Sequence, residues 1–263
     1  MHPNLLAYKG YEVFDNEDAL EAYRKAKLMS VEKNVKFVKN NCGDNLKVLE
    51  IGSGNSKFLY ALEEKGLLNY GYGVEISNSR VKFANKWKKD LKNKNVYNYE
   101  DNILNVNFDY LGDSNLVYCV DLAFQFINPL KPGSDKELLT TIYNHLQPGG
   151  KLILELDTHK RLVDQMENNS LKTWQELNKP DPWRYLLWEC SLQGHNIEIN
   201  KTFIKRDLTD TSVSKVILKN YERHDIISMM NNVGFKNCNV YEHWDRESDI
   251  LEDEFIIVGE KYA

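Results

Sequence analysis

Between residues 48 and 56 the chain reads Val48-Leu49-Glu50-Ile51-Gly52-Ser53-Gly54-Asn55-Ser56, a short apolar run that breaks into two glycines separated by Ser53. Glycines at such a turn let backbone N–H groups come close to a ligand, and a helix starting just beyond adds positive potential. A dinucleotide fingerprint would need Gly-x-Gly-x-x-Gly, but its sixth position here is Lys57. Acids recur where later apolar runs end: Glu75, then Asp101 beside Asn102, then Asp121. Glu75 lies where a carboxylate can accept two hydrogen bonds from a ribose diol. Together, Glu50, Glu75, Asp101 and Asp121 suit a cationic ligand better than a pyrophosphate. Two histidines stand near the same features. His159, in Asp157-Thr158-His159, is the candidate proton acceptor, because histidine is the side-chain type suited to proton transfer near neutral pH. His243-Trp244-Asp245 lies in a later loop and offers substrate contacts. The four cysteines, Cys42, Cys119, Cys190 and Cys238, form no CxxC pair and have no histidine at zinc-ligand spacing, so they read as reduced and structural, with no metal site.

These residues need elements that bring them to one edge. Helical patterning from about 17 to 41 is divided near Ser30 and stopped by Gly43. From Lys47 strands and helices alternate: strand 47–51, helix 57–65, strand 71–75, helix 78–92 and strands 96–100 and 115–120. A helix opened by the capping box Ser134-x-x-Glu137 and a strand 151–155 follow. Strict alternation means right-handed βαβ units and a parallel sheet, whose strand C-termini converge on one crevice. After a helical stretch near 161–168 and a polar linker at 179–182 the rhythm changes. Three strand-like segments, 184–191, 196–205 and 212–221, read as an inserted antiparallel meander. The α/β rhythm then resumes with helix 225–233 and strands 237–241 and 254–258. The expected organisation is an N-terminal helical cap over 1–45, an α/β domain from 46–159 and 222–263, and an inserted lid over 160–221.

On these motifs the chain resembles the class I S-adenosylmethionine-dependent methyltransferases of small-molecule type, over about 46–157 and 221–259. The matching residues are VLEIGSG at 48–54, GVEIS at 73–77, the Glu100-Asp101-Asn102 turn, LVYCVDLAF at 116–124, LQPGGKLILE at 146–155 and the Gly234-Phe235 turn. The resemblance implies an α/β fold with a doubly wound, Rossmann-like, seven-stranded sheet, and S-adenosyl-L-methionine as cofactor. It places Gly52, Ser53 and Gly54 against the methionine portion with Glu50 bracing the turn. Glu75 would hold the ribose hydroxyls, Ile76 the adenine face, Asp101 and Asn102 its amino edge, and Asp121 would mark the carbonyl near the methionine ammonium. The family's third turn glycine is Ser56 here, a residue able to cap the following helix. The fourth strand ends in Asp121-Leu122-Ala123-Phe124, without the paired prolines of members that methylate nucleobase or glutamine amines. The expected reaction is methyl transfer to an N or O atom of a small metabolite. Its acceptor would be contacted by Tyr11, Phe124, Trp183, Tyr185, His243 and Trp244. For the inserted aromatics, burial as the core of the added sheet is the competing reading. Alternatives are a protein or RNA methyltransferase and a catalytically silent cofactor-binding module.

Composition narrows the partners. The 263-residue chain is 42% hydrophobic and 28% charged, as in soluble globular proteins. No run approaches the roughly 20 apolar residues of a membrane span, and residues 1–10 carry no secretory pattern, so the expectation is a cytoplasmic protein with no membrane partner. A net charge of −5 disfavours nucleic acid. The Lys82–Lys94 stretch reads as a solvated amphipathic helix with Val81, Phe83, Ala84, Trp87 and Leu91 inward. The expected partners are a small-molecule acceptor and, as a candidate, a second copy in a homodimer.

Overall fold

The computed structural model describes residues 2–5, 16–179, 181, 183–245 and 253–262. Two helices open it, α1 (Glu17–Met29), with Asn16 accepting the Ala19 N–H at its start, and α2 (Glu32–Cys42). Ser30 separates them. The α/β portion runs β1 (Leu46–Ile51), α3 (Lys57–Glu64), β2 (Leu68–Glu75), α4 (Asn78–Asp90), β3 (Val96–Glu100), β4 (Ser114–Cys119), α5 (Ile127–Leu130), α6 (Ser134–His145) and β5 (Leu146–Asp157). Next come α7 (Lys160–Asp164) and four antiparallel strands, β6 (Ser170–Glu176), β7 (Trp183–Gln193), β8 (Asn196–Lys205) and β9 (Thr211–Lys219). The chain closes with α8 (Arg223–Val233), β10 (Lys236–Tyr241) and β11 (Glu254–Glu260).

Seven strands form the main sheet in the order β10-β11-β5-β4-β1-β2-β3, with β11 antiparallel to both neighbours. The order reverses at β1, which pairs in parallel with β2 on one side and β4 on the other. Successive residues of β1 enter different cores because strand side chains alternate faces. Val48 joins a layer with Phe58, Leu62 and Trp87 from α3 and α4, whereas Leu49 joins one with Leu138, Ile142 and Met230 from α6 and α8. With both faces covered, the central strands read as continuous apolar runs.

The inserted segment contains four strands where the sequence suggested three. The extra one, β6, is polar and largely exposed, so it carries little apolar alternation to announce it. The inner face of this second sheet, with Ile197, Ile199, Val216 and Leu218, packs on Leu122 and Phe126 from the end of β4 and on Leu162 and Val163 of α7. Polar clamps fix its base. Gln125 Nε2 donates to the carbonyls of Asp157 and Lys219, each at 2.9 Å, and its Oε1 accepts the Asp157 N–H at 2.9 Å. Asn4 bridges the Ile217 N–H and C=O at 2.7 and 2.8 Å.

Three local expectations change. Gly133 caps α6, and Ser134 Oγ instead donates to the Ile127 carbonyl at 2.9 Å, so no capping box forms. Ser56 sits at the α3 N-cap position in the left-handed region, φ 60°, but its hydroxyl turns to Asn98 at 2.7 Å rather than to the helix. Leu91, just past α4, is exposed while Val81, Phe83, Ala84 and Trp87 are buried. Among the described residues no helix is long and apolar enough to cross a membrane.

Candidate active site

A cavity of about 590 Å³ lies at the carboxyl ends of β1 to β5, beneath the inserted sheet. Its floor begins with the β1–α3 turn. Gly52 has φ 71°, and a Cβ there would stand 2.7 Å from Ala123 Cβ. Only glycine allows the turn to fold this tightly against the end of β4. Glu75, at the end of β2, accepts the Gly54 N–H at 2.8 Å on one oxygen and the Ser77 N–H at 2.8 Å on the other. Each oxygen keeps a second lone pair for a ligand hydroxyl. Two buried atoms on this floor, Glu50 Oε2 and Ser53 Oγ, have no hydrogen-bond partner among the described residues. Buried polar atoms without partners are rare, and a cavity donor would satisfy them. Burial pushes the Glu50 carboxyl well above its ordinary value, with Lys57 opposing and Asp121 and Glu75 adding to the rise.

Lys57 therefore does more than break a fingerprint. Its ammonium lies 3.5 Å from Asp121 Oδ2. Asp121 and Leu122 both have positive φ, 52° and 63°, a sharp reversal that turns the chain back along the rim. Asp101, Asn102 and Ile76 also line the cavity, and Asn102 Oδ1 caps the next short turn by accepting the Leu104 N–H at 3.1 Å.

The opposite half is built from other elements. Glu155 of β5 is gripped by two donors, the Asp121 N–H at 2.8 Å and Trp244 Nε1 at 2.6 Å. Burial and the nearby Asp121 charge push its carboxyl up to about 7 against those hydrogen bonds. Beside it the Tyr118 hydroxyl accepts from Asn34 Nδ2 at 2.8 Å, and burial holds that phenol well above its ordinary value. Leu177, Leu186, Lys201 and Phe203 close the cavity from the second sheet, while Lys27, Val31 and Asn34 close it from α1 and α2.

All nine residues expected at a cofactor, Glu50, Gly52, Ser53, Gly54, Glu75, Ile76, Asp101, Asn102 and Asp121, thus line one space. The acceptor side differs from expectation. His159 does not line the cavity. It is buried before α7 with φ 52°, and its Nδ1 lies 3.0 Å from the Asp157 carbonyl. Its proximity to the strand end put it at the right edge, but the backbone reversal takes the ring into packing. Phe124 is fully buried against Tyr221, ring centroids 5.8 Å apart. Tyr185 faces outward beside Trp174 at 5.9 Å, because strand alternation sends it to the sheet's far side. Trp183 acts one layer back, against Phe203 at 5.7 Å. His243 is absent from the lining and Trp244 is present. Tyr11 lies outside the described residues. The sequence pattern does not single out Glu155, Tyr118, Asn34 or Phe203, which also line the cavity. Glu155 alone had a signal, since it too is an acid at a predicted strand end.

A doubly wound sheet with a ligand cavity at its switch point, roofed by an inserted antiparallel sheet, defines the class of molecule. The chain belongs to the methyltransferase-domain family, whose description matches residues 42–221. No curated protein sequence matches it. Solved structures share its fold. An S-adenosylmethionine-dependent methyltransferase from Clostridium acetobutylicum superposes with a TM-score of 0.73 at 16% identity, covering 94% of this chain and 100% of the other. A methyltransferase from Streptomyces caelestis gives 0.72 at 14%, covering 88% and 89%. An aminopentose methyltransferase from Micromonospora echinaspora, solved with S-adenosylmethionine bound, gives 0.67 at 13%, covering 95% and 99%.

Proposed function

We propose that this methyltransferase transfers the methyl group of S-adenosylmethionine to a nitrogen or oxygen atom of a small metabolite held beneath the inserted sheet. The observation that carries the reading is that one cavity is lined on one side by the glycine turn and acidic strand ends and on the other by the lid and α1–α2. Its volume falls within the roughly 300–1,000 Å³ usual for small-molecule sites. The residues fit the donor. Glu50 Oε2 and Ser53 Oγ await polar partners, the free lone pairs of Glu75 suit a ribose diol, and Asp101 and Asn102 suit an adenine edge. The donor supplies a sulfonium leaving group, so the protein's work is alignment, exclusion of water and acceptance of a proton. Leu186 and Phe203 exclude water from above, and the acid-rich floor favours the cation. The structurally similar Micromonospora protein is an aminopentose methyltransferase, which agrees with an acceptor of this size.

The test is incubation with methyl-labelled S-adenosylmethionine against low-molecular-weight, RNA and protein fractions of a cell extract. Label is expected in the low-molecular-weight fraction. Label in RNA or protein alone, or in no fraction, overturns the reading.

A further inference from the structure

The two halves of the cavity are built for different guests. The β1–β2–β3 side carries the glycine turn, Glu75 and Asp101, whereas the β4–β5 side carries Glu155 beside the rings of Tyr118 and Trp244, with Phe126 and Phe203 lining the same cavity. A carboxylate set into an aromatic wall recognises an ammonium group by charge and by the ring faces. We infer that the methyl acceptor is an amine that enters as its ammonium ion against Glu155, and that Glu155 takes the proton that frees the nitrogen lone pair.

This rests on the function proposed above and names its acceptor. The step balances as follows. R–NH₃⁺ gives one proton to the Glu155 carboxylate, and the freed lone pair forms the N–C bond to the methyl carbon. The C–S electron pair passes to sulfur, leaving R–NH₂⁺–CH₃, and Glu155 returns its proton to water. Glu155 is placed to do this because it lines the cavity and the Asp121 N–H and Trp244 Nε1 fix its two oxygens, each of which has a second lone pair. The groups around it are Tyr118 and Cys119 on β4, Asp121 beyond β4, Glu254 on β11 and Trp244 from the β10–β11 connection. Among the described residues none of these groups supplies a cation to pair with it. The ammonium of Lys57 is 3.5 Å from Asp121 instead. Near neutral pH, the carboxyl pushed up to about 7 is matched to proton transfer, and an alkylammonium, about 10.4 in lysine, is an acid it can take a proton from.

The test begins with the product of the labelling reaction, its methyl position read by mass spectrometry and NMR. A label on nitrogen is expected. A label on oxygen, sulfur or carbon overturns this inference and leaves the proposed function standing. With no small-molecule product, the function fails first and the inference with it. On the identified product, Glu155→Gln is expected to lower kcat/KM at least about 10²-fold. It should also abolish the acidic limb near neutral pH while binding S-adenosylhomocysteine as tightly as the parent. Retention of activity and of the limb overturns the assignment. Should that variant not fold, Trp244→Phe removes a donor that favours the ionised carboxylate, and the limb should move to higher pH. An unmoved limb overturns it as well.

Discussion

Glu75 shows how one side chain can brace the fold and still face the cavity. Its oxygens already hold the Gly54 and Ser77 N–H groups, which lock the β1 turn to the β2 end. Glu75→Ala is therefore expected to weaken S-adenosylhomocysteine binding by about 1.5–3 kcal/mol, the usual worth of hydrogen bonds to a charged group. Calorimetry would read this as roughly a 10- to 150-fold rise in Kd, and an unchanged Kd would place the ribose elsewhere. At the same scale, His159 shows the limit of reasoning from position. It follows β5 closely, yet its positive φ buries the ring beside its own backbone.

The second sheet is an element whose two faces do different jobs. Phe203 and Leu186 turn inward to the cavity, whereas Tyr185 and Trp174 turn outward. Phe203→Ala should raise the acceptor KM several-fold with little change in donor affinity, and Tyr185→Ala should leave both near the parent values. Steady-state kinetics on the two variants checks this, and a larger effect from Tyr185 would invert the assignment of faces. The base of the sheet depends on Asp135, whose side chain is 0% exposed. It accepts from Tyr221 at 2.6 Å, Lys219 at 2.9 Å and Asn128 at 2.9 Å. Burial works to raise this carboxyl, but those hydrogen bonds prevail and hold it below its ordinary value. A depressed folded value means stability that is present above the unfolded value of about 3.9 and lost as pH falls through the folded one. Asp135→Asn should cost about 1.5–3 kcal/mol at neutral pH by urea unfolding. The gap to the parent should narrow in acid, and a constant gap would show that charge plays no part.

For the whole molecule, the acid-lined cavity sets a second pH dependence of opposite sign. Burial raises Glu155 to about 7 and also raises Glu50 and Glu254. Between about 4.3, the unfolded glutamate value, and about 7 the folded chain keeps a proton on Glu155 that the unfolded chain releases. Stability should fall as pH rises through that window, which lies above the range in which Asp135 acts. Thermal unfolding at a series of pH values should show a declining melting temperature, and Glu155→Gln should flatten the decline. An equally steep decline in the variant would assign it to the other carboxylates.

The alternation of apolar runs with helices, the glycine turn and acids at strand ends were legible in the sequence because they are local. Strand ends in a parallel sheet must meet at one edge, so the strand pattern alone places Glu50, Glu75, Asp101 and Asp121 together. The interruption at 160–221 was visible as a change of period, though β6 was missed because an exposed polar strand buries no alternating face. What only the tertiary structure decided was which side chains line the half of the cavity under the second sheet. Whether Tyr185, Trp183 or Phe203 meets the cavity depends on the register of strands paired far apart in sequence, and a one-residue shift exchanges the faces. The grip on Glu155 joins an N–H beyond β4 to a ring from the β10–β11 connection, 89 residues from the carboxylate it holds. Such a contact has no local signature, since it exists only once β11 has inserted beside β5.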